Sequence, residues 1–137
     1  MSARFHVLTP VLATDGSSWR PATGAVGPYA WRLLGANNRE LGRSATVFPD
    51  AAACETSIAA LRLLADRGVA TSTRDGQRGT WTWRLDAGPG VPVARSARGY
   101  VRQRECQYAL AAFRDVAPLA EVVQAVVPRP MSRELRS

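Results

Sequence analysis

The sequence predicts an α+β domain built from two tandem βββα repeats. One antiparallel sheet should carry both helices on one face, with pseudo-two-fold symmetry between the halves. Three observations predict it. Trp31-Arg32-Leu33 returns 52 positions later as Trp83-Arg84-Leu85, and the same shift superposes Arg43-Ser44-Ala45 on Arg95-Ser96-Ala97 and Cys54 on Cys106. In each copy, stretches that alternate with period two precede one with helical spacing. The chain has 137 residues, about one domain's worth, so the copies should share a core rather than hold one each. A single duplicated domain is expected over residues 1–127, with repeat one at 5–66 and repeat two at 67–127.

Residues 5–13 form an apolar run that ends at Asp15-Gly16 and reads as a strand, with Pro10 marking it as an edge. Its counterpart is 69–74, ending at Asp75-Gly76. That alignment gives the first copy eight extra residues, within the Gly/Pro/Ser-rich segment 17–28 that contains Trp19 and Arg20. The second strands follow at Tyr29 to Leu33 and Trp81 to Leu85. Alternation places Tyr29, Trp31 and Leu33 on one side, and Ala30 and Arg32 on the other. Turns at Asn37-Asn38 and Gly88-Pro89-Gly90 lead into third strands at 40–46 and 91–98.

The helices then share an apolar stripe. Cys54, Ile58, Leu61 and Ala65 keep the spacing of Cys106, Leu110, Phe113 and Ala117. Asp50 is a good N-cap for the first helix, while Arg102 is a poor one for the second. Asp66, four residues after Arg62, suggests a surface ion pair. Residues 121–127 are β-branched and suit a last strand; 128–137 lack the apolar content to pack and are expected to be a disordered tail.

The W-x-W-R-L-type strand, an Asn/Gly turn, a strand ending in Ser, an aromatic and an Ala-Ala-Cys helix opening together resemble the YegP-like proteins, a family of unknown function. In this chain the pattern is carried by Tyr29 to Leu33, Asn37-Asn38, Arg43-Ser44, Phe48 and Ala52-Ala53-Cys54. It returns at Trp81 to Leu85, Arg95-Ser96, Gly99-Tyr100 and Cys106. The resemblance implies tandem βββα repeats joined in one continuous sheet, and it carries no agreed activity or catalytic residues. The Trp19 loop and the Gly-Pro-Gly turn depart from the pattern, so features particular to this chain are expected there.

Eighteen basic residues against eleven acidic ones give a formal charge of +7. All the basic residues are arginine, which excludes a phosphate-loop lysine, a Schiff-base lysine and a lysine general base. The arginines are spread along the chain, as GC-rich coding alone would spread them. His6 is the single histidine and has no nucleophile at a suggestive spacing. Two cysteines without metal-ligand spacing argue for a reducing compartment and against a disulfide framework. Each sits in an apolar stripe, where a thiol packs as a hydrophobe. With a poor signal region at the start and no membrane-length apolar segment, the expected location is the cytoplasm. No metal, cofactor or catalytic constellation is expected, and so no enzyme.

Arg32 and Arg84 alternate with the bulky residues and should project from the face opposite the helices, joined by Arg43 and Arg95. Such a face suits a polyanion, RNA before DNA. Solvated arginines paired across strands with acids are the structural alternative. Trp19 and Arg20 add a loop candidate for stacking on a base or a partner's ring, against the preferred reading in which Trp19 folds back as a lid over the sheet edge. The second functional expectation is a protein-interaction or self-association module using the Trp19 loop and exposed strand edges. A monomer that is itself a pseudo-dimer is expected before a homodimer.

Overall fold

The computed structural model describes residues 2–8 and 29–124. The Asp15-Gly16 turn, the Trp19 loop with Arg20, and the tail 128–137 lie outside the described residues. The elements run β1 (Arg4–Leu8), β2 (Ala30–Leu34), β3 (Glu40–Ser44), α1 (Ala51–Leu64), β4 (Val69–Asp75), β5 (Thr80–Asp86), β6 (Pro92–Arg95), α2 (Gln103–Val116), a 3-10 turn (Ala117–Leu119) and β7 (Glu121–Gln124).

One sheet of seven strands has the order β4-β5-β6-β3-β2-β1-β7. The two repeats meet at its centre, where β3 and β6 pair antiparallel with Arg43 opposite Arg95. The pseudo-two-fold axis therefore passes between equivalent strands. Every pair is antiparallel except the last: β7 runs parallel to β1, so the sheet is mixed rather than wholly antiparallel. Chain direction explains the exception. β7 leaves the end of α2 through the 3-10 turn, and Arg62 on α1 donates to the Ala120 carbonyl just before the strand begins. That contact replaces the expected Arg62–Asp66 pair, because α1 ends at Leu64 and Asp66 lies beyond it.

The repeated residues build repeated local structure. Trp31 N donates to Ser44 Oγ at 3.2 Å, and Trp83 N donates to Ser96 Oγ at 3.3 Å. Tyr29 bridges Phe48 as Trp81 bridges Tyr100. The two β2–β3-type turns also match. Gly35 N donates to Arg39 O as Ala87 N donates to Val91 O, and Asn38 (φ 67°) stands where Gly90 has φ 71°. Asparagine and glycine are the residues that tolerate this left-handed backbone. Gly-Pro-Gly thus makes the same turn as its counterpart in the first copy with different residues.

The first strands correct the expected alignment. His6 lies opposite Arg32 and Thr71 opposite Arg84. Twenty-six positions separate the first pair and 13 the second, so the first copy is longer by 13 residues, not eight.

Both helices cover one face. Phe5, Trp31, Leu33, Trp83 and Leu85 from the strands are buried with Cys54, Ile58, Leu61, Cys106 and Phe113 from the helices. Phe113 stacks on Trp31 at 6.2 Å and tilts against Trp83 at 4.9 Å, so one side chain of α2 spans both copies. Asp50 caps α1 by accepting from Ala53 N at 2.8 Å. At the start of α2, Glu105 accepts from Arg102 N at 3.3 Å.

Candidate functional site

The face opposite the helices carries a row of arginines in register. Arg84 lies across from Arg95, Arg95 from Arg43, and Arg43 from Arg32. Thr71 flanks the row on β4 and His6 on β1. At about 4.8 Å between neighbouring strands, Arg32 and Arg84 are about 14 Å apart along the row. The four arginines singled out from the sequence are brought together, with the Arg32/Arg84 pair outermost.

A bulge in each copy sets how the row is neutralised. Pairing shifts after Leu33 in β2 and after Leu85 in β5, leaving Leu41 and Val93 as the extra residues opposite. A bulge puts residues three apart on one face. Glu40 thereby grips Arg43 with two hydrogen bonds, at 2.7 and 3.0 Å. In the second copy Glu40's place is taken by Pro92. The acid is instead Asp86 on β5, which accepts from Arg84 Nη2 at 3.0 Å with Nε 2.9 Å away. Among the described residues, the carboxylates of Glu40 and Asp86 thus pair within a row of four guanidiniums. Paired arginines and an excess of cations are both present.

Exposure along the row is uneven. The Arg43 side chain is only 11 % exposed, while Arg84 is 51 % exposed. Burial and the neighbouring Arg43 lower the pKa of Arg95, and Glu40 raises it again; a guanidinium starts so high that it remains cationic at neutral pH. At the other end Arg32 Nε is buried with no hydrogen-bond partner among the described residues. Beside it, burial first, then Arg32 and Arg4, hold the His6 pKa below its usual value, so the imidazole is neutral at pH 7.

A pocket of about 450 Å³ opens over the second-repeat half of this face. Five arginines line it, Arg43, Arg78, Arg84, Arg95 and Arg98, together with Thr71, Thr73 and Thr82. Arg32 is in the row but outside the pocket. Sequence reasoning missed Arg78, Arg98 and the threonines. The period-two spacing of Thr71 and Thr73 was the available signal, since each pairs with an outward residue of β5, Arg84 or Thr82. Trp19 and Arg20 fall outside the described residues.

The cysteines are elsewhere. Both are fully buried and free. Burial, then Glu55, pushes the Cys54 thiol up to about 12, and burial raises Cys106 as well, so neither is a thiolate nucleophile near neutrality. No group of three metal-ligating side chains occurs among the described residues. No helix there is long and apolar enough to cross a membrane.

No family model and no curated protein matches the sequence. Solved structures do match the fold. The solution structure of yegP from E. coli, a protein of unknown function, aligns with TM-score 0.67 at 14% identity, covering 90% of this chain and 93% of that one. A UPF0339 protein from Shewanella oneidensis aligns with TM-score 0.66 at 8% identity, covering 90% of this chain and 92% of its own. The fold is that of the YegP-like proteins, as the sequence resemblance implied.

Proposed function

We propose that the chain is a non-enzymatic binding module whose arginine-lined pocket and row contact a polyanion, single-stranded RNA in the first place. The observation that carries this reading is the in-register row ending in a pocket with five guanidiniums and three threonine hydroxyls. Guanidiniums are weakly hydrated and present a fork of donors that fits phosphate oxygens. Threonine hydroxyls add donors for phosphate or for a ribose 2′-OH. Guanidinium contacts to phosphate carry no sequence information, so binding should be tolerant of sequence and sensitive to salt.

Arg78 and Arg98 are exposed members of the pocket, so both can be changed to glutamine, with urea stability of the variant checked because the Arg98 guanidinium covers the buried Tyr100 ring. Fluorescence anisotropy with a single-stranded RNA at low ionic strength should show weaker binding by the double variant. Its log–log salt slope should shrink by about 1.4, because each phosphate that is no longer neutralised lowers the slope by about 0.7. The same sequence as DNA is the comparator and should bind less tightly. Absence of RNA binding at low salt would sink the reading.

One observation favours a second reading, edge-to-edge association. β4 ends the sheet with no neighbouring strand on its outer side among the described residues, which is a template for strand addition. Light scattering across a concentration series checks it; a strict monomer with no captured partner counts against it.

A further inference from the structure

The arginine pocket is not isolated. A second cavity of about 620 Å³ lies between the start of β3 and α2, and the two share Ala97 and Arg98 as a common wall. They are also joined through the Glu40–Arg43 ion pair, since Glu40 lines the second cavity and Arg43 the first. Their chemistry differs sharply. The second cavity holds Tyr100 and Tyr108 and two carboxylates, Glu40 and Glu105, set against Arg39 and the shared Arg98. Tyr108 is 70 % exposed, and the Arg98 guanidinium lies 5.1 Å over the Tyr100 ring.

We propose that this cavity is a nucleobase site, and that one nucleotide unit spans Arg98 with its phosphate among the arginines and its base against Tyr108. The inference rests on the RNA reading of the arginine pocket and adds to it an aromatic contact that the sheet face itself lacks. Charge sets the direction. Five guanidiniums and no carboxylate line the arginine side, whereas on the tyrosine side Arg39 and Arg98 are balanced by Glu40 and Glu105, so a phosphate is drawn to the arginine side. The exposed Tyr108 ring offers an apolar face on which any base stacks, whatever its sequence. Both volumes fall within the range of ~300–1,000 Å³ usual for small-ligand sites.

The test compares oligoadenylate with an abasic ribose-phosphate oligomer of the same length and charge, by anisotropy at low ionic strength. The parent chain should bind oligoadenylate about tenfold more tightly, the usual scale of one base–aromatic stack. Tyr108→Ala should erase that preference and leave abasic binding unchanged; Tyr108→Phe should keep it. Tyr108 is a surface residue, so neither variant threatens folding. Equal binding of both oligomers by the parent chain, or a preference that survives Tyr108→Ala, overturns the base site while the RNA reading stands. If neither oligomer binds, the RNA reading falls and takes the base site with it.

Discussion

Ser57 and Ala109 hold the same place in the two helices, yet only Ser57 accepts a hydrogen bond from the tryptophan beneath it. Trp31 Nε1 donates to Ser57 Oγ at 3.0 Å, and that hydroxyl donates to Cys54 O at 2.7 Å. Trp83 Nε1 is buried with no partner among the described residues. An orphaned buried donor costs ~1–3 kcal/mol, while a satisfied one contributes about 1 kcal/mol. Ala109→Ser should therefore stabilise the protein by about 1 kcal/mol, and Ser57→Ala should destabilise it by ~1–3 kcal/mol. Urea denaturation midpoints check both, and an Ala109→Ser variant less stable than its parent would show that the two tryptophans sit differently. The repeat alignment made this pair legible before any coordinates. What it could not show is that the Trp31 indole N–H reaches the helix, since that depends on how the ring packs in the core.

At the scale of elements, the packing of α2 on β3 depends on Gly42. A Cβ there would lie 2.6 Å from Phe113 Cδ1 and 2.8 Å from Trp83 Cη2. In the other copy Gly42's place is held by Ala94 and Phe113's by Leu61, so a smaller strand residue accompanies the larger helix residue. Gly42→Ala should cost about 1–3 kcal/mol by overpacking, and less in a Phe113→Leu background. A double-mutant cycle in urea reads the coupling; purely additive effects would mean that the steric contact relaxes elsewhere. Strand order within each copy, both helices and the Asp50 cap were legible from periodicity and turn residues. Two element features were not. The bulges that align Glu40 with Arg43 arise from pairing between strands, and no local pattern marks them. The parallel direction of β7 follows from where α2 delivers the chain, which is a tertiary fact.

For the whole molecule, the copies are tied by two strand pairings and one shared aromatic, besides the Arg62–Ala120 hydrogen bond. β3 pairs with β6 at the centre, β7 of the second repeat pairs with β1 of the first, and Phe113 touches both Trp31 and Trp83. With one shared core, unfolding should be a single cooperative transition, seen at the same urea concentration by tryptophan fluorescence and far-UV circular dichroism. Two separated transitions would mean that each repeat holds a core of its own. The same assembly builds the candidate site. Arg43 comes from the first repeat while the rest of the pocket lining comes from the second, so the first repeat completes the arginine pocket.

The amino-acid order by itself determined the duplication, the face each arginine takes and the burial of both cysteines, because side-chain alternation and helical periodicity are local and survive in a linear string. It also marked Arg32, Arg43, Arg84 and Arg95 as one set. Only the tertiary structure decided that these four form a row with the Arg32/Arg84 pair outermost, and that Arg78, Arg98 and three threonines complete a pocket at one end. It alone placed Tyr108 in the adjoining cavity. The reason is that register across strands, bulges and the meeting of a helix with a distant strand are fixed by pairing and packing between segments far apart in sequence. The two copies also differ in where they hold their acid, Glu40 on a third strand and Asp86 on a second. In the folded sheet that small difference makes a symmetric repeat present an asymmetric charged surface.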